Sequence, residues 1–101
     1  NIDCSNNELE SLSLRNKMNL LKLFCSRNEI KTLDLKHLSD IEMIDCAKNK
    51  LETLRIDHLH NLNHLVCSDN KIPLLETRID PKYILADSWT KIIFLDPCTL
   101  N

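Results

Sequence analysis

Apolar and polar residues alternate in three short stretches of the chain, "LKLFC" at 21–25, "EMIDC" at 42–46 and "NHLVC" at 63–67. A period of two is that of a half-buried strand, so Leu23 and Cys25 are predicted to face inward and Lys22 and Phe24 outward. About ten residues later the alternation returns in "KTLDL" and "ETLRI", which predicts a second extended segment on the opposite side. The whole pattern then repeats. Cys4, Cys25, Cys46 and Cys67 are 21 residues apart, and so are Asn7, Asn28, Asn49 and Asn70. The columns Ile2/Leu23/Ile44/Leu65, Leu9/Ile30/Leu51/Ile72, Leu12/Leu33/Leu54/Leu75 and Leu14/Leu35/Ile56 keep the same phase. Units therefore run 1–19, 20–40, 41–61 and 62–78, followed by a tail, 79–101, in which the period is lost.

A strand recurring at a fixed period is expected to stack on its own copies as a parallel sheet, with equivalent residues ~4.8 Å apart. Between coils the backbone must turn away from the strand where water does not reach, and its polar groups then need partners. A side-chain amide carries both donors and an acceptor, so Asn7, Asn28, Asn49 and Asn70 are read as an inward ladder holding that turn. A unit of 21 residues leaves little room for a helix, so flat, helix-poor coils are expected. The chain has no glycine, and its asparagines are the expected source of the backbone reversals.

The pattern L-x-x-L-x-C-x-x-N-x-L-x-x-L-x-L resembles the leucine-rich repeat family, with Cys where that family more often has Leu. The resemblance covers residues 1 to about 77 and is greatest to the short repeats of bacterial proteins. It implies a leucine-rich repeat solenoid of about four repeats with a parallel β-sheet on one face, closed by a C-terminal capping segment. It also implies protein binding through the outward strand residues of a concave face, and it points partly to a bacterial surface or secreted protein. Unpaired cysteines suit a reducing cytoplasm equally well. The chain opens in mid-pattern at Asn1, as a part of a longer protein would.

Composition narrows the chemistry. A net charge of −2, from 13 basic and 15 acidic residues interspersed along the chain, has no nucleic-acid footprint. No apolar run approaches the ~20 residues of a membrane helix, and no glycine-rich phosphate loop is present. The inward cysteines are read as a reduced core ladder, free Cys being a small and often buried hydrophobe. Partial bridging and metal or redox work are the alternatives. In-register neighbours would strain a disulfide torsion, and sulfurs strung along a line do not converge as a zinc site requires. Cys98 lies outside the repeat and receives no role. His37, His58, His60 and His64 cluster in sequence and are read as a surface stack, His37 and His58 being neighbours, with adventitious metal binding as the alternative. Ser5, Ser26 and Ser68 read as turn residues, and Asp3 and Asp45 share one outward column. None of these forms a nucleophile–base–orienter set, so no catalytic residue, metal or cofactor is assigned.

What remains is the outward face. Lys22, Phe24, Arg27, Met43, Asp45, His64 and Val66 are the binding candidates, an apolar centre with a polar rim. The expected function is a non-catalytic protein-interaction module with an unidentified protein partner. The alternatives are a structural spacer or capping part of a larger repeat protein and, last, an enzyme or metal-binding protein. In the tail, "KIIFLD" is expected to form a short buried strand, and Trp89 to lie as a lid over the Cys67 coil.

Overall fold

Leu23, Ile44 and Leu65 are sealed from solvent, and each is the centre of a short strand. These are β2 (Lys22–Phe24), β3 (Met43–Asp45) and β4 (His64–Val66), and β1 (Ile2–Asp3) precedes them. The computed structural model describes residues 1–95 of the 101 and places these strands side by side in parallel. Register follows the sequence period, Leu23 beside Ile44 and Ile44 beside Leu65. The solenoid of about four 21-residue coils expected from the repeat is the fold observed. It measures 42 × 32 × 18 Å.

Each coil leaves its strand through a left-handed residue: Asn6, Arg27, Lys48 and Asp69 have φ of 61°, 58°, 58° and 57°. Asparagine was expected to make these reversals, yet only Asn6 and Asn16 among the five left-handed residues of the described chain are asparagines. In the inner coils a charged residue takes that conformation, at a cost of about 1 kcal/mol, and the following asparagine compensates with its side chain. Asn49 shows how. Its Nδ2 donates to Cys25 O at 3.0 Å on the coil before, and to Cys46 O at 3.0 Å and Ala47 O at 3.2 Å on its own. Its Oδ1 accepts the Ile30 N–H at 3.1 Å. Asn28 and Asn70 make the same four bonds one coil to either side. Asn7, in the first coil, is exposed and donates only to Cys4 O and Ser5 O.

The return leg runs without a strand from Ile30 to Leu35, bending at Lys31, and then makes two successive three-residue turns. Leu38 N–H donates to Leu35 O and Ile41 N–H to Leu38 O, both at 3.2 Å. The next coil repeats this at Leu59 and Leu62. These turns bring every third residue inward, so Leu35, Leu38 and Ile41 join Leu23 and Ile30 in one continuous core. Among the described residues there is no α-helix, only a 3₁₀ turn at Pro81–Tyr83.

Beyond β5 (Leu74–Thr77) the chain runs once more around the stack. β6 (Ile84–Leu85) adds to β4 as a fifth strand of the main sheet, and β7 (Lys91–Phe94) pairs in parallel with β5 on the return leg. This last circuit is shorter, since Ile84 sits beside Leu65 (an offset of 19) and Lys91 beside Leu74 (an offset of 17). Its inner positions are filled by Ile84, Ala86 and Ile92. Trp89, expected to be a lid, lies in the turn between β6 and β7 and is 56% exposed. The strand expected in "KIIFLD" exists as β7 but is half-buried, with Phe94 exposed. Backbone pairing on both legs commits the small aliphatic residues to the inside and leaves the aromatics outside. Cys98 lies outside the described residues.

Candidate functional site: the outward face of the sheet

Strand alternation that buries Leu23, Ile44 and Leu65 turns their neighbours toward solvent. One outward row is Asp3, Phe24, Asp45, Val66 and Leu85, in register across five strands. The second row is Lys22, Met43 and His64, extended by Tyr83, whose ring meets His64 edge-on at 5.6 Å between centroids. The structure thus places six of the seven sequence-derived candidates on one surface. Arg27, the seventh, is exposed in the left-handed turn three residues past Phe24, at the rim rather than on the sheet.

Two residues that sequence reasoning did not assign to this face belong to it. Leu85 is 59% exposed beside Val66, and Tyr83 is 45% exposed beside His64. Phe24, Met43 and Val66 are half-buried, so the apolar surface runs from β2 to β6. Basic groups flank it: Lys22 is exposed, Lys48 stands in the turn after β3, and the Lys82 ammonium lies 5.0 Å from the Tyr83 ring centroid. The two carboxylates of the face also shape turns, Asp3 Oδ1 accepting the Ser5 N–H at 3.1 Å and Asp45 Oδ1 the Ala47 N–H at 3.2 Å.

Behind the face stand the cysteines. Cys25, Cys46 and Cys67 are buried, Cys4 is half-buried, and all four are free thiols. Burial pushes the Cys25 and Cys67 thiols up to about 12, with Cys4 and Asp45 adding to the first and Asp87 to the second. Cys46 is raised well above the ordinary thiol value by burial and by the sulfurs of Cys67 and Cys25 on either side. Burial also raises Cys4, and Asp3 adds to that. The shift is opposite in direction to the lowered pKa that marks a reactive cysteine.

The histidines do not converge. His58 Nε2 lies 3.1 Å from Leu35 O, and since a carbonyl only accepts, that nitrogen carries the proton and bridges two coils. His64 belongs to the sheet face, and His60 is exposed. Among the described residues no group of three or more His, Cys, Asp or Glu side chains is placed to hold a metal ion. Grooves open instead on the return leg. One of about 590 Å³ is lined by Thr32, Asp34, Arg55, Asp57 and His58, and a second of about 420 Å³ by Arg55, Leu74 and Glu76. Charges alternate there from coil to coil, Asp34, Arg55, Glu76 in one column and Lys36, Asp57, Arg78 in the next. No described helix is long and apolar enough to cross a membrane.

No protein-family profile matches the chain, and neither does any curated protein sequence. Among solved structures it is similar to the functional domain of InlJ from Listeria monocytogenes, which includes a cysteine ladder. The TM-score is 0.70 at 26% sequence identity, over 93% of this chain. The chain spans about a quarter (26%) of the length of that structure.

Proposed function

We propose that this chain is a leucine-rich-repeat module of the short bacterial type that binds another protein through the outward face of its main sheet, without catalysis. The observation that carries the proposal is the apolar strip Phe24, Met43, Val66, Leu85 and Tyr83, which crosses four strands and has Lys22, Arg27, Lys48 and Lys82 at its margins. An apolar centre with a charged rim is the anatomy of a protein interface. The backbone beneath it is held coil to coil by the asparagine bonds, so binding would order few groups and forfeit little entropy. The tail, 79–101, serves in this reading as the closing segment, keeping the last coil's inner face covered through Ile84, Ala86 and Ile92.

The test is affinity capture from a matched cell or host lysate with the wild type and with a double variant, Phe24→Asp with Val66→Asp. Both must give the same strand-type circular dichroism. A protein retained by the wild type and lost by the folded variant supports the reading and identifies the partner. Equal capture by both, or none by either, overturns it in favour of a structural spacer within a larger repeat protein.

A further inference from the structure

Within the apolar strip, and apart from the exposed Asp3 at the end of the row, the outward face contains one carboxylate that its surroundings do not explain. Asp45 stands between Phe24 and Val66 in the same row, two residues from Met43 on its own strand. It is half-buried. One carboxylate oxygen accepts the Ala47 N–H, and the other accepts from no described residue. The ion pairs among the described residues are Lys50–Glu29 and Lys82–Asp80, so Asp45 has no cation within 4.0 Å.

The turn itself does not call for a carboxylate here. The coils before and after carry Phe24 and Val66 at the same position, and their turns have the same geometry. Arg27 and Asp69 have φ of 58° and 57°, against 58° for Lys48. The Ala47 cap is an addition to a turn that forms without it.

A partner that covers Phe24, Val66 and Leu85 must also cover Asp45. Dehydrating a carboxylate that has no counter-ion costs several kcal/mol, more than neighbouring apolar contacts return. The partner must therefore bring a cation to that point. Spacing decides how. Four strands at ~4.8 Å make a row ~14 Å long. An extended peptide lying along it presents same-side residues every ~6.7 Å. Three such residues fill the row, with the middle one over Asp45 and the outer two over Phe24 and over the Val66–Leu85 pair.

Resting on the protein-binding reading above, we infer that the face recognises an extended polypeptide segment of the form apolar-x-Arg/Lys-x-apolar, whose cation pairs with Asp45. The exposed bases at the margin, Lys22, Arg27, Lys48 and Lys82, repel further cations and so limit the segment to one at the centre.

The test is selection of a random-peptide phage library on the immobilised wild type, followed by affinity measurements with the selected peptides made synthetically. Enriched peptides should carry the pattern. Asp45→Asn should weaken their binding about 30-fold or more and leave the far-ultraviolet circular dichroism unchanged. Asp45→Arg should restore binding of a peptide whose central cation is replaced by Glu. Peptides that lose binding to the folded Val66→Asp, Leu85→Asp variant yet tolerate Asp45→Asn within about twofold overturn the inference and leave protein binding by this face standing. Peptides that bind both variants like the wild type overturn the inference and the sheet-face reading together. Absence of enrichment over an unrelated immobilised protein overturns the inference, and the protein-binding reading is then decided by the lysate capture.

Discussion

Replacing Asn49 by alanine tests the physical account of the coil most directly. The side chain is buried and makes four hydrogen bonds, but losing it does not orphan all four partners. Cys25 O still accepts from Asn28 Nδ2 at 3.1 Å, Cys46 O from Asn70 Nδ2 at 2.9 Å, and Ala47 O from the Arg27 N–H at 3.0 Å. The Ile30 N–H alone loses the partner that Asn49 supplied. One unsatisfied buried donor costs about 1–3 kcal/mol, and the shared bonds to the three carbonyls add about 1 kcal/mol more. Asn49→Ala should therefore destabilise by about 3 kcal/mol. Asn7→Ala, at the exposed end of the same column, removes two local bonds from a carboxamide whose oxygen accepts nothing, and should cost less than about 1 kcal/mol. Equilibrium urea unfolding followed by far-ultraviolet circular dichroism measures both, provided the m-value is unchanged. Equal costs for the two, within about 0.5 kcal/mol, would refute the ladder as the element that holds the coils.

The thiols predict a distinct alkaline response. Their folded pKa values are raised from an ordinary 9.0, to about 12 for Cys25 and Cys67 and well above 9.0 for Cys46. Their protonated state thus adds nothing unfavourable below pH 9, and stability falls as pH rises from 9 toward 12, by about 1.4 kcal/mol per pH unit for each thiol. Cys46→Ala should make that fall shallower in urea titrations across the range, and an unchanged slope would count against protonated buried thiols. At the left-handed position, Lys48→Val should destabilise by about 1–2 kcal/mol and Lys48→Gly should stabilise by up to about 1 kcal/mol; thermal melts that order the two the other way would contradict the strained turn. In the last circuit, Asp87 accepts the Asp69 N–H at 2.9 Å and the Asn70 N–H at 3.3 Å. Asp87→Ala should cost about 2–3 kcal/mol while Trp89→Ala costs less than about 0.5 kcal/mol, and a larger loss at Trp89 in the same unfolding assay would restore it as a lid.

Legibility varied along the chain with the presence of markers. From Cys4 to Asn70 the in-phase columns set which residues face inward, because a strand period of two and a coil period of 21 leave one consistent arrangement. The outward candidates followed by elimination. Past Thr77 no Cys–Asn pair falls in phase to count from, since Cys98 and Asn101 come 31 residues after Cys67 and Asn70, and the offset between paired strands shrinks from 21 to 19 and then to 17. Tyr83 and Leu85 could not be aligned with His64 and Val66 without that register. Nor could Asp87 be recognised as the group serving the backbone N–H of Asp69 and Asn70. The exposed Trp89 was misplaced for the same reason: size argued for burial, and pairing on both legs had already filled the interior.

The coil is written in the order of residues along the chain. Its length, its strand, the inward cysteines and the absence of a full helix all follow from local periodicities that a chain with one buried face per strand cannot satisfy in another way. The left-handed turns were decided by tertiary structure. Arginine and lysine have no preference that announces that conformation and aspartate only a modest one, and it is held where the next coil accepts the N–H of Arg27 and Lys48 and the Asp87 carboxylate accepts that of Asp69. The extent of the face was decided there too. Whether a tyrosine and a leucine from the aperiodic tail join a binding surface depends on which strand their backbone pairs with, and that is settled by hydrogen bonds between residues far apart in sequence.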